Sequence, residues 1–384
     1  MKVADRIKNI EESKSVGLAS IVAQLRSEGR QIISLNVGET DFPTPKNIIE
    51  ATQKALAENE TRYSLVEGIK DLRIKIAEKV KRDNKIDANF ENIIIANGSK
   101  NILYNIFQTI INPGDEVIIP TPYWVTFPES VKLASGVPII VSSKNLQLDL
   151  HAIENAITSK TRAIIINTPN NPSGEVFPKE DLEKIVALAE KNNFYIISDE
   201  AYELLTFGNI PHISLASISK EAFNRTFTVQ SFSKSYCMTG FRIGYLVAPK
   251  EIIRGMNKLQ SHLSGNSCTF AQYGALAALE TSEQDLNEII EDLETRRDFA
   301  YNLCKDIFPK TNKPDGAFYL YPNIEDFLGE RFATDVDLAK FILMKANVAI
   351  LPGSFFGTPG YLRFSFAASI ENIKAAFKQI KEAL

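Results

Sequence analysis

The chain of 384 residues has little cysteine, histidine, tryptophan or methionine. Its three cysteines, Cys237, Cys268 and Cys304, form no C-x-x-C pair. That spacing argues against a disulfide framework or a cysteine zinc site and points to a reducing compartment, so a cytoplasmic location is expected. The three histidines, His151, His212 and His262, are scattered. A histidine metal site or a Ser-His-Asp triad is not expected, and no metal is assigned. No apolar run approaches the roughly 18 residues of a membrane span, and the opening M-K-V-A-D-R-I-K lacks the apolar stretch of a signal peptide. An excess of positive charge is also missing. Lys and Arg number 43 against 47 Asp and Glu, a net −4, which offers no basic surface for nucleic acid or an anionic membrane. Internal repeats and low-complexity segments are absent.

What is present is a hydrophobic content of 44%, enough for a large core. Residues 14–35 carry a helical pattern that ends in a short apolar strand. Residues 36–45, N-V-G-E-T-D-F-P-T-P, form a turn-rich loop, with Thr44 and Pro45 placed as N-cap and first residue of a helix to about 58. A second amphipathic helix is predicted over 67–82. From residue 90 short apolar runs at 92–96, 115–120, 137–142, 162–167, 194–198, 226–231 and 243–248 alternate with helical segments. Runs rich in Ile and Val without polar alternation predict strands buried on both faces. The expected fold is α/β, a mostly parallel sheet between helices, with one reversed or edge strand permitted. Ligands in such folds sit beyond the carboxyl ends of the strands. A long helical region over 269–307 precedes an α+β pattern in 316–384, a smaller second domain.

One stretch draws the chain together: S-F-S-K-S-Y-C-M-T-G-F-R-I-G at 231–244. An amine used as a nucleophile must be shielded so that it can lose its proton. Ser231, Ser233 and Arg242 offer hydroxyls and a fork-shaped cation for a phosphate beside Lys234. The bland alternative is a surface lysine in a serine-rich loop, and the apolar run that follows weighs against it. Other stretches have the same double reading. N-G-S-K at 97–100 opens a helix, and free N–H groups there suit a phosphate or an ordinary cap equally. Trp124 in T-P-Y-W-V-T-F offers a flat apolar face, or simply fills a core. N-T-P-N-N-P-S-G at 167–174 is a rigid turn that can hold an amide against a ligand. Asp199 in I-I-S-D-E-A-Y ends a buried strand, where a carboxylate needs a partner, unless it is a helix N-cap. Arg363 in G-Y-L-R-F-S-F-A is either a carboxylate clamp or a surface strand arginine.

Taken together, S-x-S-K with G-F-R-I-G, preceded by G-E-T-D-F, N-G-S-K, P-Y-W, N-P-S-G and D-x-x-Y and followed by Y-L-R-F-S, resembles the fold-type-I aminotransferases along nearly the whole chain. The resemblance is to the bacterial aspartate aminotransferase branch. It implies pyridoxal 5′-phosphate (PLP) held as a Schiff base on Lys234, a seven-stranded sheet in a large domain over 45–285, and a small domain of 1–44 with 286–384. It implies cofactor contacts from Gly98, Ser99, Lys100, Trp124, Asn171, Asp199, Tyr202, Ser231, Ser233, Lys234 and Arg242. Of these, Asp199 would pair the pyridine nitrogen, making the cofactor an electron sink, and Asn171 and Tyr202 would bond the ring oxygen. Lys234, Asp199 and Tyr202 are the implied catalytic set. Tyr63, before V-x-G, is implied to reach the phosphate of a neighbouring subunit, so a homodimer with shared sites is expected.

For the substrate, the resemblance assigns Arg363 to the α-carboxylate and Lys100 to a distal carboxylate, with Gly38, Ser15, Trp124 and Asn171 around them. The expected reaction moves an amino group between L-aspartate and 2-oxoglutarate by a ping-pong mechanism. Ser15 lies in S-K-S-V where the branch has S-x-T, so the hydroxyl is kept and a methyl lost. Phe355 and Phe356 in L-P-G-S-F-F-G leave an aromatic amino acid, kynurenine or prephenate open, and a PLP-dependent β-lyase on the same fold remains the alternative chemistry.

Overall fold

The run Ile93-Ile94-Ile95-Ala96 is buried at every residue, and its side chains alternate between two cores as a strand requires. Ile94 and Ala96 join one apolar cluster; Ile93 and Ile95 join another. In this computed structural model the description covers residues 3–12 and 14–384, without the side chains of residues 14–16.

Twelve strands occur among the described residues: β1 (Ile33–Ser34), β2 (Ile93–Ala96), β3 (Glu116–Pro120), β4 (Val137–Val141), β5 (Thr161–Asn167), β6 (Tyr195–Asp199), β7 (Thr226–Ser231), β8 (Gly244–Val247), β9 (Tyr319–Leu320), β10 (Val348–Ala349), β11 (Leu351–Pro352) and β12 (Leu362–Ser365). Seven make the central sheet in the order β2-β8-β7-β6-β5-β3-β4. Strand β8 runs antiparallel to both neighbours and the others pair in parallel. Strand β4 is the exception to burial on both faces. It lies at the sheet edge, and Val137 and Ile140 are exposed there. Its Pro138 lacks the N–H of an interior strand residue, which an edge tolerates.

Helices cover both faces, including Ser99–Ile110, Lys179–Asn192 and Lys250–Leu263. Some boundaries differ from expectation, and the helix predicted over 67–82 spans Lys70–Arg82. The helix after the 36–45 loop begins at Lys46, because the Thr44 hydroxyl donates to the Cys237 carbonyl at 2.6 Å instead of capping. The long region over 269–307 divides into Thr269–Ala278 and Glu283–Ile307. Ser282 ends the continuity by accepting from the Asp285 N–H at 3.1 Å, a side-chain N-cap. A separate apolar cluster gathers that second helix, β9, β12 and helix Ile370–Ala383 with Leu35, Tyr202, Leu205 and Phe207. The C-terminal part thus packs onto the turn that follows β6.

Parallel pairing brings the carboxyl ends into line. Asn167 on β5 is level with Asp199 on β6, and Asp199 with Val229 on β7. No helix among the described residues is long and apolar enough to cross a membrane. Ile197 sits mid-β6 with no exposed surface. Ile197→Ala is expected to lower stability by about 2–5 kcal/mol, from lost burial plus the cavity left behind. Urea unfolding checks this, and an unchanged midpoint would contradict the packing assigned to β6.

Candidate active site

A cavity of about 310 Å³ opens at this end of the sheet. Gly38, Ser99, Trp124, Asn171, Asp199, Tyr202, Lys234 and Arg363 line it. Each arrives on a different element. Asp199 ends β6, Asn171 sits in the rigid loop after β5, Ser99 starts a helix, and Arg363 comes across on β12. Asp199 is followed by turns, not a helix, so the N-cap alternative falls away. All four residues of β12 are buried, so Arg363 is not a surface arginine.

Arg363 is anchored from two sides. Its Nη1 donates to Asn171 Oδ1 at 2.9 Å and its Nη2 to the Asn36 carbonyl at 2.7 Å. Its guanidinium carbon lies 4.3 Å from the Tyr319 ring centre and 5.0 Å from that of Phe356. The Nε is buried without a partner among the described residues. An unpaired buried donor is costly, so a ligand oxygen there would relieve it. Asn171 is itself fixed, since its N–H donates to Asn167 Oδ1 at 2.8 Å.

Lys234 donates to the Gly38 carbonyl. Burial first, then the positive Arg363, lowers its amine to about 8, while Glu39 and Asp199 oppose this. Asp199 moves the other way. Burial raises its carboxyl to about 7, although the Ala201 N–H, donating at 3.3 Å, favours the anion. Each group is therefore pushed towards its neutral form by loss of water. The Tyr202 phenol, buried and 2.9 Å from the Tyr319 hydroxyl, is held well above its ordinary value by burial and Tyr319.

The remaining expected residues divide. Gly98 has φ +84°, and a Cβ there would stand 2.6 Å from Arg242 Nη2. The helix start and the Arg242 guanidinium are thus neighbours. Ser231 accepts from the Ser233 N–H at 3.1 Å at the end of β7, and neither serine lines the cavity. Lys100 lines an adjoining cavity of about 410 Å³, its Nζ 5.0 Å from the Trp124 ring centre. Tyr63 is 97% exposed. The Ser15 side chain lies outside the described residues. Sequence reasoning passed over Tyr319 and Asn36. The F-Y-L run signalled only a strand, and the carbonyl that Asn36 contributes is one that any residue has.

Behind Asp199, on the opposite side of the chain, Glu200 is fully buried and accepts from Ser198 at 2.7 Å and Ser214 at 2.6 Å, with His212 Nε2 at 3.0 Å. Glu200, Glu203 and His212 bring ligand-type atoms within 4.8 Å of one another. A cation is already there: the Lys79 ammonium pairs with Glu203. This network fastens the turn that carries Asp199 and Tyr202.

The family profile for aminotransferase class I and II matches residues 30–380. The chain belongs to that family. The probable aspartate/prephenate aminotransferase of Aquifex aeolicus is 42% identical, covering 100% of this chain and 98% of the relative. The aspartate aminotransferase of Bacillus subtilis is 39% identical over 99% and 98%. Among solved structures, the Thermus thermophilus aspartate aminotransferase with maleate superposes with a TM-score of 0.94 at 36% identity, over 100% of both chains. That of Rhizobium meliloti gives 0.96 at 32%, over 100% and 98%. The protein is an aminotransferase with the α/β fold of these enzymes.

For the aminotransferase without small molecules, the Asp199 shift sets a pH dependence. Between the ordinary 3.8 and about 7, the folded protein keeps a proton that the unfolded chain has lost, so this group's contribution to stability falls as pH rises. Asp199→Asn, which mimics the protonated acid, is expected to raise the melting temperature at about pH 8 and leave it nearly unchanged near pH 4. Melting curves at both values check this; an equal shift at both would contradict the burial effect.

Proposed function

We propose that this aminotransferase carries pyridoxal 5′-phosphate on Lys234 and moves an amino group between L-aspartate and 2-oxoglutarate. The observation that carries the reading is the convergence of the Lys234 amine, the Asp199 carboxylate and the Arg363 guanidinium on one cavity. The donor set suits the cofactor: a shielded amine for an aldehyde, a buried acid for a pyridine nitrogen, an indole face, and a helix start beside Arg242 for a phosphate. When bound, the cofactor withdraws electrons from the substrate Cα.

The chain's own residues do the rest. Asp199 would hold the pyridine nitrogen protonated, and a cationic partner would return its carboxyl to the anion. Asn171 and Tyr202 would bond the ring oxygen from two directions. Lys234 Nζ, neutral above about pH 8, would take the proton from Cα and return it to the cofactor carbon. A general base with a value close to the working pH serves both steps. Arg363 would hold the α-carboxylate, using the Nε that has no other partner among the described residues. Lys100 would read the second carboxylate from the adjoining cavity, with Val125 lining both spaces. Gly98, Ser99, Ser231, Ser233 and Arg242 would hold the phosphate. We assign the large lobe to 45–285 and the small lobe to 1–44 with 286–384. The exposed Tyr63, next to the exposed Leu65, fits a homodimer in which Tyr63 of the partner subunit completes each site. The names of the relatives support aspartate as donor. Phe356 in the cavity wall favours an aromatic partner as the second reading.

A single half-reaction tests this. Protein with PLP, mixed with L-aspartate and no oxo acid, is expected to lose the absorbance of the lysine-bound cofactor promptly. Loss with phenylalanine or kynurenine only would move the assignment to aromatic donors, and continuous release of ammonia and thiol with pyruvate from an amino acid bearing a β leaving group, such as cysteine, would point to a lyase. Lys234→Ala is expected to lower turnover by at least ~10²–10⁴-fold, the usual worth of a positioned acid–base group.

A further inference from the structure

The loop from Leu35 to Thr44 is gripped alternately from two sides. The C-terminal part holds its ends. The Leu35 N–H donates to the Ala349 carbonyl at 2.9 Å, and its own carbonyl accepts from the Ser365 N–H at 2.7 Å. The Asn36 carbonyl accepts from Arg363. At the far end the Asp41 N–H donates to the Ala367 carbonyl at 3.2 Å, and the Asp41 carboxylate accepts from Arg296 at 2.5 Å. Arg296 is itself held by Asp292 at 2.8 Å and by the Ala368 carbonyl at 3.0 Å, and it lies 4.4 Å from the Phe42 ring centre.

Between those anchors the loop touches the lysine segment. Gly38 accepts from Lys234 and Glu39 accepts from Thr239. The Thr40 hydroxyl donates to Cys237 Sγ at 3.3 Å. There is no slack at the centre, because a Cβ on Gly38 would stand 2.7 Å from the Tyr319 hydroxyl.

We propose that residues 36–41 are a positioning strap, and that the Arg296–Asp41 ion pair holds the Gly38 carbonyl and the Glu39 carboxylate in place around the Lys234 amine. The inference rests on the reading of Lys234 as the cofactor lysine. The groups around that amine are Asp199 on β6, Tyr202 in the next turn, Tyr319 on β9, Arg363 on β12, Arg242 before β8, and Glu39 on the strap. Arg363 and Arg242 favour the neutral amine; Glu39 and Asp199 favour the ammonium. Loosening the strap takes away an acceptor and an anion. The amine then loses its proton at lower pH.

The test follows cofactor capture by the full-length, cofactor-free protein. The neutral amine adds to the PLP aldehyde carbon and water leaves, so the capture rate against pH reports the amine's protonation. Asp41→Asn and Glu39→Gln are each expected to move the midpoint down by up to about one unit, the low end for an opposite charge nearby. The double variant is expected to move it no further than Asp41→Asn alone, since the loosened strap has already drawn Glu39 away. Arg296→Lys, which keeps the charge and loses the fork, is expected to fall between. A wild-type midpoint in Asp41→Asn or Arg296→Lys, or an additive shift in the double variant, overturns the strap. Lys234→Ala separates the two readings. If it develops the same bound chromophore, the cofactor-lysine reading fails; if it does not, a wild-type midpoint in Asp41→Asn counts against the strap alone.

Discussion

Removal of water from the carboxyl end of the central sheet is the constraint on which the site depends. Lys234 and Asp199 face one cavity, and burial drives each towards neutrality, the amine down to about 8 and the acid up to about 7. Neither shift survives if the C-terminal part is lifted away, because Tyr319, Phe356 and Arg363 supply much of the wall. The cluster that binds that part to the rest includes Tyr202 and Leu205 from the turn after Asp199. Fold and chemistry therefore share side chains: the packing that joins the C-terminal part to the sheet also dries the site.

The charges around the cavity are unequal. Lys234, Arg363 and Arg242 are cationic, against Asp199 and Glu39. Like charges close together are unfavourable in a dry site, and an anionic occupant relieves them. The proposed ligands are all anions, a phosphate and one or two carboxylates. An excess of fixed positive charge makes their binding favourable, and it also eases the loss of a proton from Lys234. One arrangement serves both binding and the proton transfer.

Much of this was legible in the residues, and the rest was lost for physical reasons. Short apolar runs, several rich in Ile and Val, located all seven central strands because burial leaves a compositional mark. The same mark does not say which strand lies at the edge, since an edge strand can be as apolar as an inner one, and Val137 and Ile140 carry no sign of their exposure. Motifs with rigid backbones, such as the 167–174 loop, were readable because their glycines and prolines fix local geometry. Tyr319 was not. Its role comes from a hydroxyl contact with Tyr202, 117 positions away in the chain. The Lys79–Glu203 pair spans 124 positions and was hidden in the same way. Arg363 looked like one member of an alternating strand, but β12 is covered on both sides.

In the proposed function, the choice of substrate turns on the wall between two cavities. Lys100 is not in the space that holds Lys234 and Arg363; it lies next door, against Trp124. A cation over an indole is stabilised by the ring face without being consumed as an ion-pair partner. Burial, and after it the positive Arg242, lowers the Lys100 ammonium from its ordinary value; the indole face opposes that, and a carboxylate arriving along Val125, which borders both cavities, would restore the charge. An aromatic side chain would meet Phe356 and the same indole without needing that charge. The two proposed substrate types use overlapping surfaces and differ in whether Lys100 is engaged. Discrimination then rests on leaving that ammonium paired or unpaired when the site excludes water, a difference that grows as the surroundings become less polar.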